Sequence, residues 1–329
     1  MSVDADHDVA VVGGGPAGCS AGVFTAREGL DTVIFDRGRS SIKRCAHLEN
    51  YLGFPGGIDV ETLYGLMQDH AETAGCTVIQ DRVESIDRLD DGDGFTIDRQ
   101  EGETVSVRRV VAATRYGGEY LRGLDDDAAM FETYEHDGES SERFDREYAD
   151  RDGTTPVDGL YVASPSPEAD TQAIMAAGRG ARVARRVIAD ARSDAGRWES
   201  VAEGVDWMRR ESTVDGKWTE RAGWIEWFDE HHGESAPVDP DSERFERVRE
   251  AYVDDRLSAY LSDEKIDSRA ARGRKALLEH LDPTLEELDP EPETIVDSVG
   301  TRRLLGAIDV AEIEAHLEER TSQTGAGTR

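Results

Sequence analysis

Three cysteines in 329 residues, Cys19, Cys45 and Cys76, form neither a Cys-x-x-Cys pair nor a metal-ligand spacing. A disulfide framework and a zinc ribbon are thereby excluded. No run approaches the roughly 18 apolar residues of a membrane-spanning helix. Met1 to Asp8 is acidic and lacks the charged-then-apolar order of a signal peptide, so the expectation is a cytoplasmic protein. Lysine is scarce: only Lys43, Lys217, Lys265 and Lys275 stand among the 38 basic residues, against 71 acidic ones, for a formal net charge of −33. Such a balance, with no basic and aromatic run, disfavours nucleic acid and anionic membranes as partners. The acids are spread through every helix and loop rather than gathered in a tail, the pattern of a halophilic protein in a salt-rich cytoplasm. Disorder is the rival reading of high charge, and regular strand patterns oppose it over the first 190 residues. No Gly-x-Ser-x-Gly nucleophile elbow occurs. His231-His232 has neither a cysteine pair nor a His-Glu-x-x-His spacing beside it, so no metal site is expected.

What the chain does have stands at its start. The apolar run Asp8 to Val12 leads into Gly13-Gly14-Gly15-Pro16-Ala17-Gly18, then a small-residue helical pattern, then Thr32 to Phe35 closing on Asp36. Strand, glycine turn, helix, strand and acid in this order make a dinucleotide-binding fingerprint. Gly13 serves the tight turn, Gly15 admits a pyrophosphate to the backbone, and Gly18 lets helix and strand pack. The helix N-terminus offers unpaired N–H groups to phosphate. Asp36, eighteen residues beyond Gly18, is placed to accept hydrogen bonds from a ribose.

Glu49 to Ile58, with Asn50-Tyr51-Leu52-Gly53-Phe54-Pro55 at its centre, resembles the segment after the first βαβ unit in the thioredoxin reductase family of FAD enzymes. Ala26-Arg27, the strand Val110 to Thr114, and Gly159 to Ala163 followed by Thr171 to Gly178 are similar to that family too. The resemblance covers about the first 190 residues and implies FAD as the cofactor of an oxidoreductase. It implies cofactor contacts from Gly13, Gly15, Pro16, Ala17, Gly18, Asp36, Arg37, Asn50, Thr114, Gln172 and Ala173, with Val83 against the adenine. Read without the family, the Asn50 segment is a rigid glycine and proline loop and Val83 an ordinary core valine.

The chain departs from the family at defined points. Arg115 stands where a glycine belongs, and Ser164-Pro165 where a Gly-Asp pair belongs. From Arg115 to Asp158 there are 44 residues, whereas a nucleotide-binding domain needs on the order of 100. The family's NADPH domain and its Cys-x-x-Cys pair are therefore expected to be absent, with 115–158 a short insertion instead. The expected fold is a Rossmann-like α/β FAD-binding domain over 1–191, a parallel sheet with helices and a small antiparallel meander, followed by an all-α domain over 192–329. In that second part helical spacing recurs at 218–228, 245–261, 270–281 and 310–317, punctuated by proline. All five tryptophans fall there; they read as packing anchors, or as a surface over the flavin or for a partner.

Cys45, in Lys43-Arg44-Cys45-Ala46-His47, is the catalytic candidate, since two cations and an imidazole favour a thiolate. Cys19 and Cys76 read as packed core residues. Three functional readings stay open: a flavoprotein oxidoreductase whose electron donor is not a domain-bound NADPH, an FAD enzyme with a substrate pocket formed by the helical domain, and a non-catalytic or regulatory nucleotide-binding protein. A redox protein partner, either an electron carrier or a thiol protein, and a homodimer are both open.

Overall fold

The computed structural model describes residues 5–89, 93–115, 117–136, 139–166, 172–204 and 207–287, with Thr301, Arg302, Val310 and Glu314. The helix expected at 310–317, and the hairpin turn that Asp90-Asp91-Gly92-Asp93-Gly94 signals in the sequence, lie largely outside them. Met1–Ile266 form one compact unit and Asp267–Arg329 a second.

The first unit begins as the fingerprint requires. Strand β1 (His7–Val12) feeds helix α1 (Pro16–Arg27), which returns the chain to β2 (Thr32–Phe35), all four of whose residues are buried. Pro16 occupies the first turn of α1, where its missing N–H costs nothing. A small antiparallel pair, β3 (His47–Leu48) and β4 (Ile58–Asp59), brackets the Asn50 loop. Helix α2 (Val60–Ala74) starts on Asp59, whose carboxylate accepts from the Thr62 N–H at 2.8 Å. Strand β5 (Thr77–Ile79) follows, then the meander β6 (Val83–Arg88), β7 (Phe95–Arg99) and β8 (Val105–Ala113). The stretch between the halves holds α3 (Asp127–Met130) and a hairpin of β9 (Phe131–His136) and β10 (Glu139–Phe144). Strand β11 (Leu160–Ser164) and helix α4 (Ala173–Asp194) complete the expected α/β layer.

The sheet runs β5-β2-β1-β8-β7-β6. Strand β1 lies along one edge of β8; the other edge pairs antiparallel with β7 at its start and parallel with β11 at its end. This is the expected Rossmann-like mixture of a parallel sheet and an antiparallel meander. One face packs against α1 and α4, with Val9, Val11, Ile34, Val111, Val183 and Val187 between them. Helices α1 and α4 touch so closely that a Cβ on Gly180 would lie 2.0 Å from the Ala17 carbonyl oxygen. The opposite face buries Phe35, Ile86, Phe95 and Ile97. Leu121, Met130, Phe131 and Phe144 of the 115–158 excursion join that same cluster, so the hairpin is part of the sheet's own core.

Beyond α4 come α5 (Glu199–Ala202), β12 (Arg209–Arg210), α6 (Arg221–His232), α7 (Glu243–Ser258), β13 (Tyr260–Leu261) and α8 (Asp263–Glu287). Apart from the two-residue parallel pair β12–β13, the described elements here are helices. The helical spacing expected through residue 261 ends at Ser258, because Tyr260 and Leu261 instead pair with Arg209 and Arg210. Trp198 is the buried anchor of this part, stacked on Phe245 at 5.8 Å and edge-on to Phe228 at 5.9 Å. Trp227 packs beside it, while Trp207 is 58% exposed.

Candidate functional site

Strand β1 lies between β2 and β8, and the chain leaves it in one direction through α1 and meets it from the other through β8 and β11. A crevice opens beyond the carboxyl ends of strands at such a point. Here it is a cleft of about 380 Å3, within the range of small-molecule and cofactor sites. Gly13, Gly15, Pro16 and Ala17 form its floor at the start of α1, with Asp36 and Arg37 beyond β2. Cys45, Val83, Thr114, Gln172 and Ala173 line it from the surrounding loops.

Two expected site residues do not line the cleft. Gly18 faces inward: a Cβ there would stand 1.8 Å from the Gly13 carbonyl oxygen, so its role is packing of helix on turn. Asn50 acts one step removed. Its side-chain amide donates to Gln172 Oε1 at 2.7 Å, tying the Asn50 loop to the start of α4. Val83 is both a core residue and a cleft residue, since it is buried and still reaches the lining.

Gly13 takes φ +117°, a left-handed conformation that strains any other residue. At Gly14 an added Cβ would meet Asp36 Cβ at 2.5 Å, and at Gly15 it would meet Ser40 Oγ at 2.7 Å. Three consecutive glycines thus keep side chains out of a cradle of backbone amides at a helix N-terminus, which is the form a phosphate needs.

Asp36 is 2% exposed. Its Oδ2 accepts from the Tyr64 hydroxyl and from Gln68 Nε2 at 2.7 Å, while Oδ1 accepts from the Gly38 N–H at 3.0 Å. Two oxygens carry about four acceptor sites, so one on Oδ1 stays open among the described residues. Tyr64 is buried, which pushes its phenol up, and the adjacent Asp36 carboxylate adds to that. Lys43 Nζ sits 4.2 Å from the centroid of the Tyr64 ring. The sequence does not single out Tyr64 or Gln68 for the site, because nothing local marks them; they come from the second and third turns of α2.

At the far end, Thr114 Oγ1 donates to the Gly117 carbonyl at 2.6 Å and lies 2.9 Å from the Tyr120 hydroxyl. Both departures from the family pattern, Arg115 and Ser164-Pro165, line the cleft. Ser166 beside them is 6% exposed and its Oγ has no hydrogen-bond partner among the described residues. A buried orphan hydroxyl facing a cleft awaits a polar group. Arg39, Arg82 and Arg146 add exposed cations to the lining. Arg146 belongs to the excursion, whose sequence carried no functional signal.

The three thiols differ in kind. Cys45 is exposed in the cleft lining, whereas Cys19 and Cys76 are buried, and burial pushes both of their thiols up to about 12. Cys19 Sγ donates to the Gly14 carbonyl at 3.2 Å. Among the described residues no group of three or more His, Cys, Asp or Glu is arranged to hold a metal. No described helix is long and apolar enough to cross a membrane.

Fold and cleft together define a Rossmann-like protein with a crevice at the carboxyl ends of its strands. Residues 7–124 match the family of pyridine nucleotide-disulphide oxidoreductases. The thioredoxin reductase of Aquifex aeolicus is 32% identical over 109 residues, 32% of this chain and 34% of that protein. That of Bacillus subtilis is 30% identical over 124 residues, 37% of each chain. The similarity therefore spans about a third of the length of these relatives. Among solved structures, a thioredoxin reductase from Gloeobacter violaceus superposes with a TM-score of 0.45 at 19% identity, over 57% of this chain and 96% of that one.

Proposed function

We propose that the chain binds FAD in this cleft and is an FAD-dependent oxidoreductase. The observation that carries the reading is the side-chain-free cradle of Gly13, Gly14 and Gly15 at the start of α1, with the one open acceptor of Asp36 beside it. Backbone amides of the turn would hold the pyrophosphate, Asp36 a ribose hydroxyl, and Arg37, Val83, Thr114, Gln172 and Ala173 the flanks of the cofactor. Ser166 supplies a hydroxyl that has no hydrogen-bond partner among the described residues. FAD, when bound, supplies the electron chemistry; the residues of this chain bind and orient it. Cys45, on the cleft wall, is the one thiol available for exchange with a thiol protein.

The electron donor in this proposal is not NADPH held in a domain between the two halves. The 115–158 excursion spends its apolar residues on the core of the sheet, which leaves no separate hydrophobic core for a second nucleotide domain. A redox protein is then the partner, with residues 1–191 as the FAD domain, 192–329 as a helical domain, and a cytoplasmic, salt-rich setting. A regulatory nucleotide-binding role is the second reading, favoured by Arg115 and Ser164-Pro165 in the lining. The deciding measurement is the absorption spectrum of the purified protein in molar KCl, before and after anaerobic addition of NADPH. Flavin bands that persist with NADPH and bleach with a reduced iron–sulfur protein bear out the proposal. Protein that is colourless and takes up no added FAD overturns it, and rapid bleaching by micromolar NADPH overturns the donor assignment.

A further inference from the structure

A second cavity, of about 60 Å3, lies apart from the cleft, between the ends of α4 and α7 and the β12–β13 pair. Four guanidinium groups line it, those of Arg192, Arg197, Arg209 and Arg256, against two carboxylates, Asp255 and Glu203. In a chain of net charge −33, that is a local inversion of sign. Asp255 is already neutralised, since its Oδ2 is 2.8 Å from Arg197 and 4.0 Å from Arg192. Arg192 also pairs with Glu28 at 2.6 Å.

Arg256 and Arg209 are in a different position. Among the described residues neither makes an ion pair with a carboxylate. Arg209 lies 5.0 Å from the centroid of the Trp207 ring. Arg256 is half-buried and donates to the Tyr252 hydroxyl at 2.8 Å, one neutral acceptor for a group with five N–H donors. Tyr252, accepting there, keeps its own proton to donate, and its hydroxyl has no acceptor among the described residues. Two donors on one face of α7, one of them charged, therefore meet at a cavity with aromatic walls. A half-buried cation that no carboxylate contacts is costly, and an anion in the cavity supplies that contact.

We propose that this cavity binds a compact monovalent anion, the carboxylate of a small organic acid or a chloride ion, held by Arg256 and Tyr252. Its size sets the class. A cavity needs about 10–15 Å3 to hold one water, so this space takes a small carboxylate or a hydrated halide and is too small for a nucleotide.

Trp207 and Trp224 both line the cavity, so tryptophan emission reports on occupancy. The full chain is titrated with potassium acetate and, separately, with potassium chloride, at molar ionic strength held constant with strongly hydrated potassium fluoride. A saturable change is expected with at least one of the two. Acetate alone marks a carboxylate site, chloride alone a halide site, and both a general anion site. Arg256→Gln is expected to raise the half-saturation concentration about tenfold or more, as loss of a hydrogen bond to a charged group does. Tyr252→Phe, which keeps the ring and the cation, raises it less and guards against a misfolded Arg256 variant, with circular dichroism checking both. A linear or absent response in the unaltered protein overturns the proposal. So does a Tyr252→Phe or a folded Arg256→Gln protein that titrates as the original does.

Discussion

The Tyr64 hydroxyl and the Asp36 carboxylate form a buried hydrogen bond between the middle of α2 and the end of β2. Gln68, one turn further along α2, donates to the same oxygen at 2.7 Å. The acid just past β2 is therefore aimed by a tyrosine 28 residues away in sequence. Removing the phenol leaves a buried carboxylate short of a donor. Tyr64→Phe is expected to lower stability by about 1.5–3 kcal/mol, the range for hydrogen bonds to charged groups, read from urea denaturation. FAD affinity should fall with it, because Asp36 loses the contact that orients it. Unchanged stability and unchanged affinity together would show that Gln68 and Gly38 suffice.

Gly15 and Gly180 separate binding from folding. A Cβ at Gly15 meets only the end of the Ser40 side chain, at 2.7 Å, which can swing away. One at Gly180 meets the backbone of α1 at 2.0 Å, which cannot. Gly15→Val should leave a folded, colourless protein with FAD affinity reduced about a hundredfold or more, a loss of roughly 3 kcal/mol. Gly180→Ala should instead lower the melting temperature, since forcing helices apart costs about 1–3 kcal/mol. Equal melting temperatures for these two variants would contradict the assignment.

Thiol accessibility gives a third test. At neutral pH in the native protein, an aromatic disulfide reagent should titrate Cys45 alone, and in denaturant all three cysteines. The same burial makes stability depend on alkaline pH. The thiols of Cys19 and Cys76 are raised from 9.0 to about 12 in the fold. Between those values the unfolded chain has released protons that the folded one retains, so stability is full below pH 9 and is lost as pH rises toward 12. Cys76→Ala should flatten that fall in melting temperature. Buried Tyr64 and Tyr161, also raised and both bonded to carboxylates, extend it upward from pH 10.

Much of the fold was legible because the signals were local. The order of strand, glycine turn, helix and strand put β2 at Thr32–Phe35, as the structure has it. The glycine turn was legible for the same reason. What stayed hidden was brought in from a distance: Tyr64 and Gln68 from α2, Arg146 and Tyr120 from the 115–158 insertion, Ser166 just past β11. The hairpin of this insertion was hidden because its apolar residues are thinly spaced, and only the register that sets Phe131 opposite Phe144 gathers them on one side.

Salt should decide how stable this fold is. Ion pairs are plentiful on its surface, as where Arg221 serves Glu250 and Asp254, or Arg122 serves Asp127 and Glu142. Exposed pairs of this kind contribute about 0–1 kcal/mol each and weaken as salt rises. They cannot balance the charge, because 71 acidic residues face 38 basic ones and an excess of carboxylates remains however completely the arginines pair. Repulsion within that excess is long-range, so it yields most when the Debye length falls from ~10 Å at 0.1 M to ~3 Å at 1 M. The melting temperature is therefore expected to rise steadily from low to molar KCl, with potassium sulfate at equal ionic strength acting at least as strongly through exclusion from the protein surface. A melting temperature that stays level or falls over that range would mean that the ion pairs, not the unpaired acids, govern the balance.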